Sequence, residues 1–241
     1  MSPVELSLVI PARNEEETVG PLLKRIREVF EKSGLSFEVI LVDDGSTDRT
    51  LEILKAEQKT TPWLRILKLD GPHGQTAAMW AGFQAVRGRI VATLDADLQN
   101  DPAEVPRLMA MLDKADAVCG WRQKRQDPWL RKVSTKIANF VRNKLTDETI
   151  HDSACSLKVY KQCCLERLPF FEGMHRFMPT LVKMQGYRVI EVPVSHHPRY
   201  AGRAKYGVWN RLFRAFADLL AVRWMKKRFI RCRAEEVSPH S

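Results

Sequence analysis

"FEVILVDDGSTDRT", Phe37 to Thr50, is a β-rich apolar run that stops at two aspartates. Gly45 and Ser46 then supply turn chemistry, and a helix is expected from about Thr47 to Lys59. The same order recurs on both sides. Upstream, "LSLVI" (Leu6–Ile10) reads as a buried strand, followed by "ARNEEETVGPLLKRIREVFEK" as loop and helix. There Asn14 suits an N-cap and Glu15, Glu16 and Glu17 suit the positive first turn, while Val19, Leu22, Leu23, Ile26, Val29 and Phe30 recur at helical spacing. Downstream, "LRILKL" (Leu64–Leu69) precedes a Gly-containing loop and an Ala-rich helix, "RIVATLD" (Arg89–Asp95) is a fourth strand, and "DAVCG" (Asp116–Gly120) a fifth. Near Tyr187, "YRVIEVPV" is a further strand whose Pro193 favours a sheet edge. Strands alternating with helices predict an α/β fold with a largely parallel sheet.

In such sheets ligands sit beyond the carboxyl ends of the strands. Four consecutive strand ends are polar or acidic: Pro11-Ala12-Arg13-Asn14-Glu15, Asp43-Asp44, Asp70 to Gln75, and Asp95-Ala96-Asp97. Within "TLDADLQNDP" (Thr93–Pro102), two carboxylates one residue apart leave a strand together, Ala96 keeps the backbone close to a ligand, and Gln99 offers a neutral oxygen. Such hard oxygen donors suit Mg²⁺ or Mn²⁺ held against a diphosphate, where the cation acts as a Lewis acid on the leaving group. A lone D-x-D is more often a polar turn. Asp43 and Asp44 are placed to accept hydrogen bonds from a base or ribose, or to form an Asx turn before a helix.

The 241 residues are 44% hydrophobic and 28% charged, which fits one large folded domain or a domain with an appendage. No apolar run approaches the roughly 18–20 residues of a membrane span, and the N-terminus lacks the features of a signal peptide, so a cytosolic or cytosol-facing location is expected. The five cysteines, odd in number and without C-x-x-C spacing, read as reduced thiols. The net charge of +10 is concentrated in the second half. Arg203 to Arg233 carries ten Lys/Arg against the single Asp218, and Trp121 to Lys144 eight against Asp127. That excess implies an anionic partner. A polynucleotide is disfavoured, because no nucleic-acid motif is present and the acidic strand ends would repel one. From Trp209 to about Arg228 an amphipathic helix is expected, with Trp209, Leu212, Phe213, Phe216, Leu219, Leu220 and Trp224 on one face. Lys226, Lys227, Arg228, Arg231 and Arg233 flank it, a composition suited to an anionic membrane surface, to packing on the protein, or to both.

"VIPARNEEETV", "EVILVDDGSTDRT", "GQTAAMWAGFQAVRGRIVATLDADLQNDP" and "RYAGRAKYG", in this order, resemble family 2 glycosyltransferases. The closest likeness within that family is to polyprenyl-phosphate sugar transferases of the dolichol-phosphate mannose synthase type. The resemblance runs from Val4 to about Trp224 and implies a GT-A (Rossmann-like) twisted sheet flanked by helices. It divides the chain into a GT-A catalytic domain, 1–205, and an amphipathic membrane-surface helix with a basic tail, 206–241. It further implies that Pro11, Ala12, Arg13, Asn14, Glu15, Asp43, Asp44, Gln75, Asp95, Ala96 and Asp97 line the nucleotide-sugar site, and that Asp95, Asp97 and Gln99 hold the metal and sugar diphosphate.

Arg122 and Arg131 fall where the family keeps arginines for the acceptor phosphate. In the family's R-x-x-G-x-S-K-Y motif, Arg199, Gly202, Lys205 and Tyr206 match, whereas Ala204 replaces the usual Ser. The implied reaction is inverting transfer from a UDP- or GDP-sugar to an undecaprenyl or dolichyl phosphate, peripheral on the cytosolic face of a membrane. Surface binding, a membrane-anchored partner and a homo-oligomer are all compatible with that location. The alternative acceptor is a saccharide hydroxyl, which would require a general base. Asp152 in "HDSACSLKVY" is the nominee, although a role in orienting an acceptor-site arginine fits it better.

Overall fold

The computed structural model describes residues 3–122, 143, 150–198 and 208–230, the stretch 208–215 by its backbone alone. Among the described residues seven strands form one sheet: β1 (Leu6–Ala12), β2 (Phe37–Asp43), β3 (Leu64–Lys68), β4 (Ile90–Thr93), β5 (Ala117–Arg122), β6 (Lys158–Lys161) and β7 (Val189–Val194). Their spatial order is β3-β2-β1-β4-β6-β5-β7. β1, β2, β3 and β4 run parallel, β6 is antiparallel to both β4 and β5, and β7 is parallel to β5. Pro193 lies on β7, an edge strand as expected, where a missing N–H costs no ladder bond.

β1 shows why the sheet is sandwiched. Leu6, Leu8, Ile10 and Ala12 join a core with α1 (Val19–Phe30), while Val9, one residue out of phase, joins a second core on the opposite face. That second face carries α3 (Gln75–Ala85) through Met79 and Phe83, and α5 (Met178–Met184) through Met178, Leu181 and Val182. Gly82 lets α3 approach β1 closely, since a Cβ there would lie 2.3 Å from Val9 Cγ1. α2 (Thr50–Gln58) and the short α4 (Val105–Met109) complete the inner layers.

The helix α1 begins at Val19, not just after Asn14, and its first turn holds no acidic residue. Asn14 is instead a left-handed residue (φ 51°) in the loop before the helix. The antiparallel β6 has no counterpart in the sequence expectations, because "KVYK" is too short to show alternation.

α6 (Val208–Arg228) is a 21-residue helix, and no helix among the described residues is long and apolar enough to cross a membrane. Its apolar residues split between two surfaces. Leu219 and Val222 are buried in the second core with Met225 packed against it, and Arg176 pairs with Asp218 at 3.7 Å. Phe216, Leu220 and Trp224 remain exposed, 63% in the case of Trp224. The expected single apolar face is thus divided, with one side docked on the protein and a stripe at four-residue spacing left outward.

Candidate functional site

β1 has β2 on one side and β4 on the other, so the chain order reverses across β1 and opens a crevice at the carboxyl ends of these strands. The loops after β1 and β2 are tied together there. Asn14 Oδ1 accepts from the Thr47 N–H at 2.8 Å, and the Asn14, Glu15 and Glu16 N–H groups donate to Ser46 Oγ, Thr50 Oγ1 and Asp48 Oδ2. Gly45 makes the turn at φ 67° with its Cα pressed on the Gly71–Pro72 backbone, where an added Cβ would lie 2.8 Å away. Pro11 and Arg13 are half-buried, and Ala12 is buried at the end of β1.

The two adjacent aspartates differ in their engagement. Asp44 accepts from the N–H groups of His73 (2.7 Å) and Gly74 (2.9 Å), which fixes the loop entering α3. Asp43 is fully buried; its Oδ1 accepts from the Ser46 N–H at 3.2 Å, and its Oδ2 has no hydrogen-bond partner among the described residues. A buried carboxylate oxygen left so is costly, and the cost is recovered when a donor arrives.

Asp95 and Asp97 leave β4 with the buried Ala96 between them, and Leu98 turns the chain at φ 59°. Gln75, first residue of α3, donates from Nε2 to Asp95 Oδ1 at 2.8 Å, and the Asp95 N–H donates to Ser156 Oγ at 3.2 Å. Asp97 is buried, and its Oδ1 accepts from the Gln99 N–H at 3.2 Å. Burial and then the neighbouring Asp97 charge push the Asp95 carboxyl up to about 6, opposed by Ser156, Lys158 and Arg122. Gln99 Nε2 contacts His196 Nε2 at 3.5 Å.

Among the described residues no group of three or more His, Cys, Asp or Glu could hold a metal ion by itself. The pair nonetheless fits a hard cation bound by one or two carboxylates and completed by substrate phosphate oxygens.

The raised Asp95 carboxyl has a stability consequence. A folded value of about 6 against an ordinary 3.8 means that Asp95 favours the fold below about pH 4 and loses that contribution as pH rises through about 6. Asp95→Asn is therefore expected to raise the melting temperature of the metal-free protein by a few degrees at pH 8 and by less at pH 4.5, as read by calorimetry.

Arg122 ends β5 beside this pair. Its Nε and Nη2 donate to Asp152 Oδ2 and Oδ1 at 2.7 and 2.9 Å, and its own N–H reaches Oδ2 at 3.3 Å. Asp152 is 3% exposed and is in turn held by Glu191, whose carboxylate accepts from the N–H groups of His151 and Asp152. Both Asp152 oxygens face a guanidinium, the geometry of an orienting group. The His151 ring bonds Glu191 and stacks on Trp121 at 4.3 Å.

Ser156, Lys158 and Glu191 escaped the sequence reading. Two of them belong to β6 or its approach, and the third is an ordinary glutamate on an edge strand; no motif marks them. Arg131, Arg199, Gly202, Lys205 and Tyr206, with the tail from Arg231, lie outside the described residues.

The sheet thus has an acidic strand end at its switch point, where ligands of open α/β folds bind. Residues 7–168 match the Glycosyl transferase family 2 model, and the chain belongs to that family. It is 42% identical over 225 residues to the dodecaprenyl-phosphate galacturonate synthase of Rhizobium johnstonii, covering 91% of this chain and 66% of that protein. It is 38% identical over 206 residues to the undecaprenyl-phosphate 4-deoxy-4-formamido-L-arabinose transferase of Edwardsiella ictaluri, covering 84% and 63%. The chain thus spans just under two thirds of the length of these curated relatives. Among solved structures, glucosyl-3-phosphoglycerate synthase from Mycobacterium tuberculosis with Mg²⁺ and UDP superposes with a TM-score of 0.70 at 19% identity, over 94% of this chain and 80% of that one. A mannosyltransferase from Pyrobaculum calidifontis with GDP-Man and Mn²⁺ gives 0.65 at 20%, over 99% and 68%. These two establish the GT-A fold.

Proposed function

We propose that the chain transfers a sugar from a UDP- or GDP-sugar to the phosphate of a polyprenyl phosphate, by single displacement with inversion at the anomeric carbon. The observation that carries this reading is Arg122, held in a fixed fork by Asp152 and acting electrostatically on Asp95. A fixed cation at the end of β5 supports an acceptor phosphate bound near the acidic end of β4. The names of the two curated relatives, both acting on polyprenyl phosphates, support the same acceptor.

Asp43 Oδ2 offers an acceptor to a base N–H or a ribose hydroxyl, with Pro11 to Glu15, Asp44 and Gln75 shaping the rest of the nucleotide-sugar site. Asp95 and Asp97, with Gln99 as a neutral oxygen, would hold Mg²⁺ or Mn²⁺, which would neutralise charge on the departing diphosphate. A phosphate monoester has a second ionisation near pKa 6 and is largely anionic at neutral pH, so the nucleophile needs no base. It needs cations to hold it against the repulsion of the diphosphate, and Arg122, with Arg131, Arg199 and Lys205, fills that role.

On this reading the outward stripe of α6 rests in a membrane surface on the cytosolic face. Phe216, Leu220 and Trp224 enter the headgroup boundary, and Arg223, Lys226, Lys227 and Arg228 meet anionic lipid.

The deciding experiment supplies purified protein with Mn²⁺, a panel of UDP- and GDP-sugars, and either a short-chain polyprenyl phosphate or a saccharide. Transfer to the lipid phosphate is expected; transfer to the saccharide alone would assign a hydroxyl acceptor and overturn the proposal. In vesicle sedimentation, Leu220→Ser/Trp224→Ser is expected to weaken binding to anionic bilayers at least about tenfold, since two large apolar side chains leave the interface.

A further inference from the structure

β6 runs between β4 and β5, and its register sets Lys158 opposite both Thr93 and Cys119. Alternate residues of a strand share a face, so Thr93, Lys158 and Cys119 form one row across the sheet. One row nearer the carboxyl end of β4 lie Asp95 and Ser156, joined by the Asp95 N–H to Ser156 Oγ bond. Lys158 therefore lies one row below Asp95 in the sheet.

It is 4% exposed, and its Nζ donates to the Cys155 carbonyl oxygen. No carboxylate forms an ion pair with it among the described residues. Lysine is almost never buried unpaired, because its ammonium loses its hydration. A carbonyl satisfies one of three donors. The acidic end of β4 is one row away in the same register, with Asp95 tied to Ser156, two residues before Lys158. Arg122, by contrast, has a carboxylate partner of its own in Asp152 at 2.7 Å.

We propose that Lys158 is the built-in counter-charge of the donor site, a positioning residue that offsets the Asp95–Asp97 pair from beneath so that a diphosphate can enter. The inference rests on the nucleotide-sugar reading above and adds a residue to it. Two carboxylates close together attract a divalent cation and repel the diphosphate that must share it. A fixed cation under them eases the second problem at the expense of the first. Removing only the charge should therefore move the two affinities in opposite directions, whereas loosening the loop at Cys155 should weaken both.

The test compares Lys158→Gln, which keeps a donor for the Cys155 carbonyl without charge, with Lys158→Arg, which keeps the charge. Mn²⁺ is titrated into nucleotide-free protein, and UDP and GDP into protein saturated with Mn²⁺, both by calorimetry. For Lys158→Gln, Mn²⁺ is expected to bind about threefold to tenfold more tightly and the nucleoside diphosphate about tenfold more weakly, the scale of one unit charge at short range in a part-buried site. Lys158→Arg should stay within about threefold of wild type for both. If Lys158→Gln does not fold, Lys158→Met, apolar and of similar length, gives the same readout. Both affinities weakening together, or neither changing, would overturn the counter-charge. Wild-type protein that binds neither Mn²⁺ nor a nucleoside diphosphate would overturn the donor-site reading itself and the counter-charge with it.

Discussion

Asp97→Ala is expected to abolish turnover with every sugar nucleotide, a loss of at least about 10³-fold, while leaving the protein folded. Asp97 is buried at the turn that Leu98 makes in a left-handed conformation, and its Oδ1 is oriented by the Gln99 N–H at 3.2 Å. The carboxylate is thus aimed before any ligand arrives, at the cost of repelling Asp95. Alanine removes that repulsion, so the melting temperature should hold or rise even as activity vanishes. Stability and function part ways here because the two carboxylates repel one another in the absence of a cation that they would share. The measurement is sugar transfer to a short polyprenyl phosphate across a donor panel, paired with a thermal melt. Retention of more than about a tenth of wild-type turnover at unchanged Mn²⁺ demand would remove Asp97 from the metal-binding role.

The parts of this site that were legible in the sequence are those in which local chemistry and strand periodicity coincide. Asp43-Asp44 and Asp95-Ala96-Asp97 each end an apolar run, and a parallel sheet sends such ends to one edge. The helical spacing of Val19, Leu22, Leu23, Ile26 and Phe30 matched the buried face of α1. Its start did not: Asn14 looks like a cap, but cross-loop bonds to Ser46 and Thr47 hold it in a left-handed turn, a tertiary arrangement with no local signature. β6 was invisible for a different reason. Four residues, one of them a buried lysine, present no alternation, and their strand character comes from lying between β4 and β5. With β6 unread, Ser156 could not be placed beside Asp95, nor Lys158 in the row below. The face of α6 was read from periodicity as one stripe, and packing divided it, burying Leu219 and Val222 while leaving Trp224 outside.

Asp152→Ala should reduce kcat/KM for the lipid phosphate by about 10²-fold while UDP or GDP affinity stays within about threefold of wild type, because Asp152 orients a cation and does not take a proton. Its carboxylate accepts Nε, Nη2 and the N–H of Arg122, so neither oxygen is left to face an acceptor unaccompanied. Two further variants separate this from base catalysis. Asp152→Asn keeps the shape but forfeits the charge; if Asp152 were a base, the acidic limb of the pH–rate profile would disappear with it. The expectation is that the limb persists near pH 6, where the acceptor phosphate itself ionises. Arg122→Ala/Asp152→Ala should cost scarcely more activity than Arg122→Ala alone, since the pair acts as a unit. Stability should run the other way. Asp152→Ala strands the Arg122 guanidinium, whose side chain is 11% exposed, and breaking a buried pair from one side costs about 3–5 kcal/mol. Deleting both partners removes the uncompensated charge, so the double variant should unfold at higher denaturant than Asp152→Ala. Additive losses in activity, or a vanished acidic limb, would return Asp152 to the role of base and with it restore a hydroxyl acceptor.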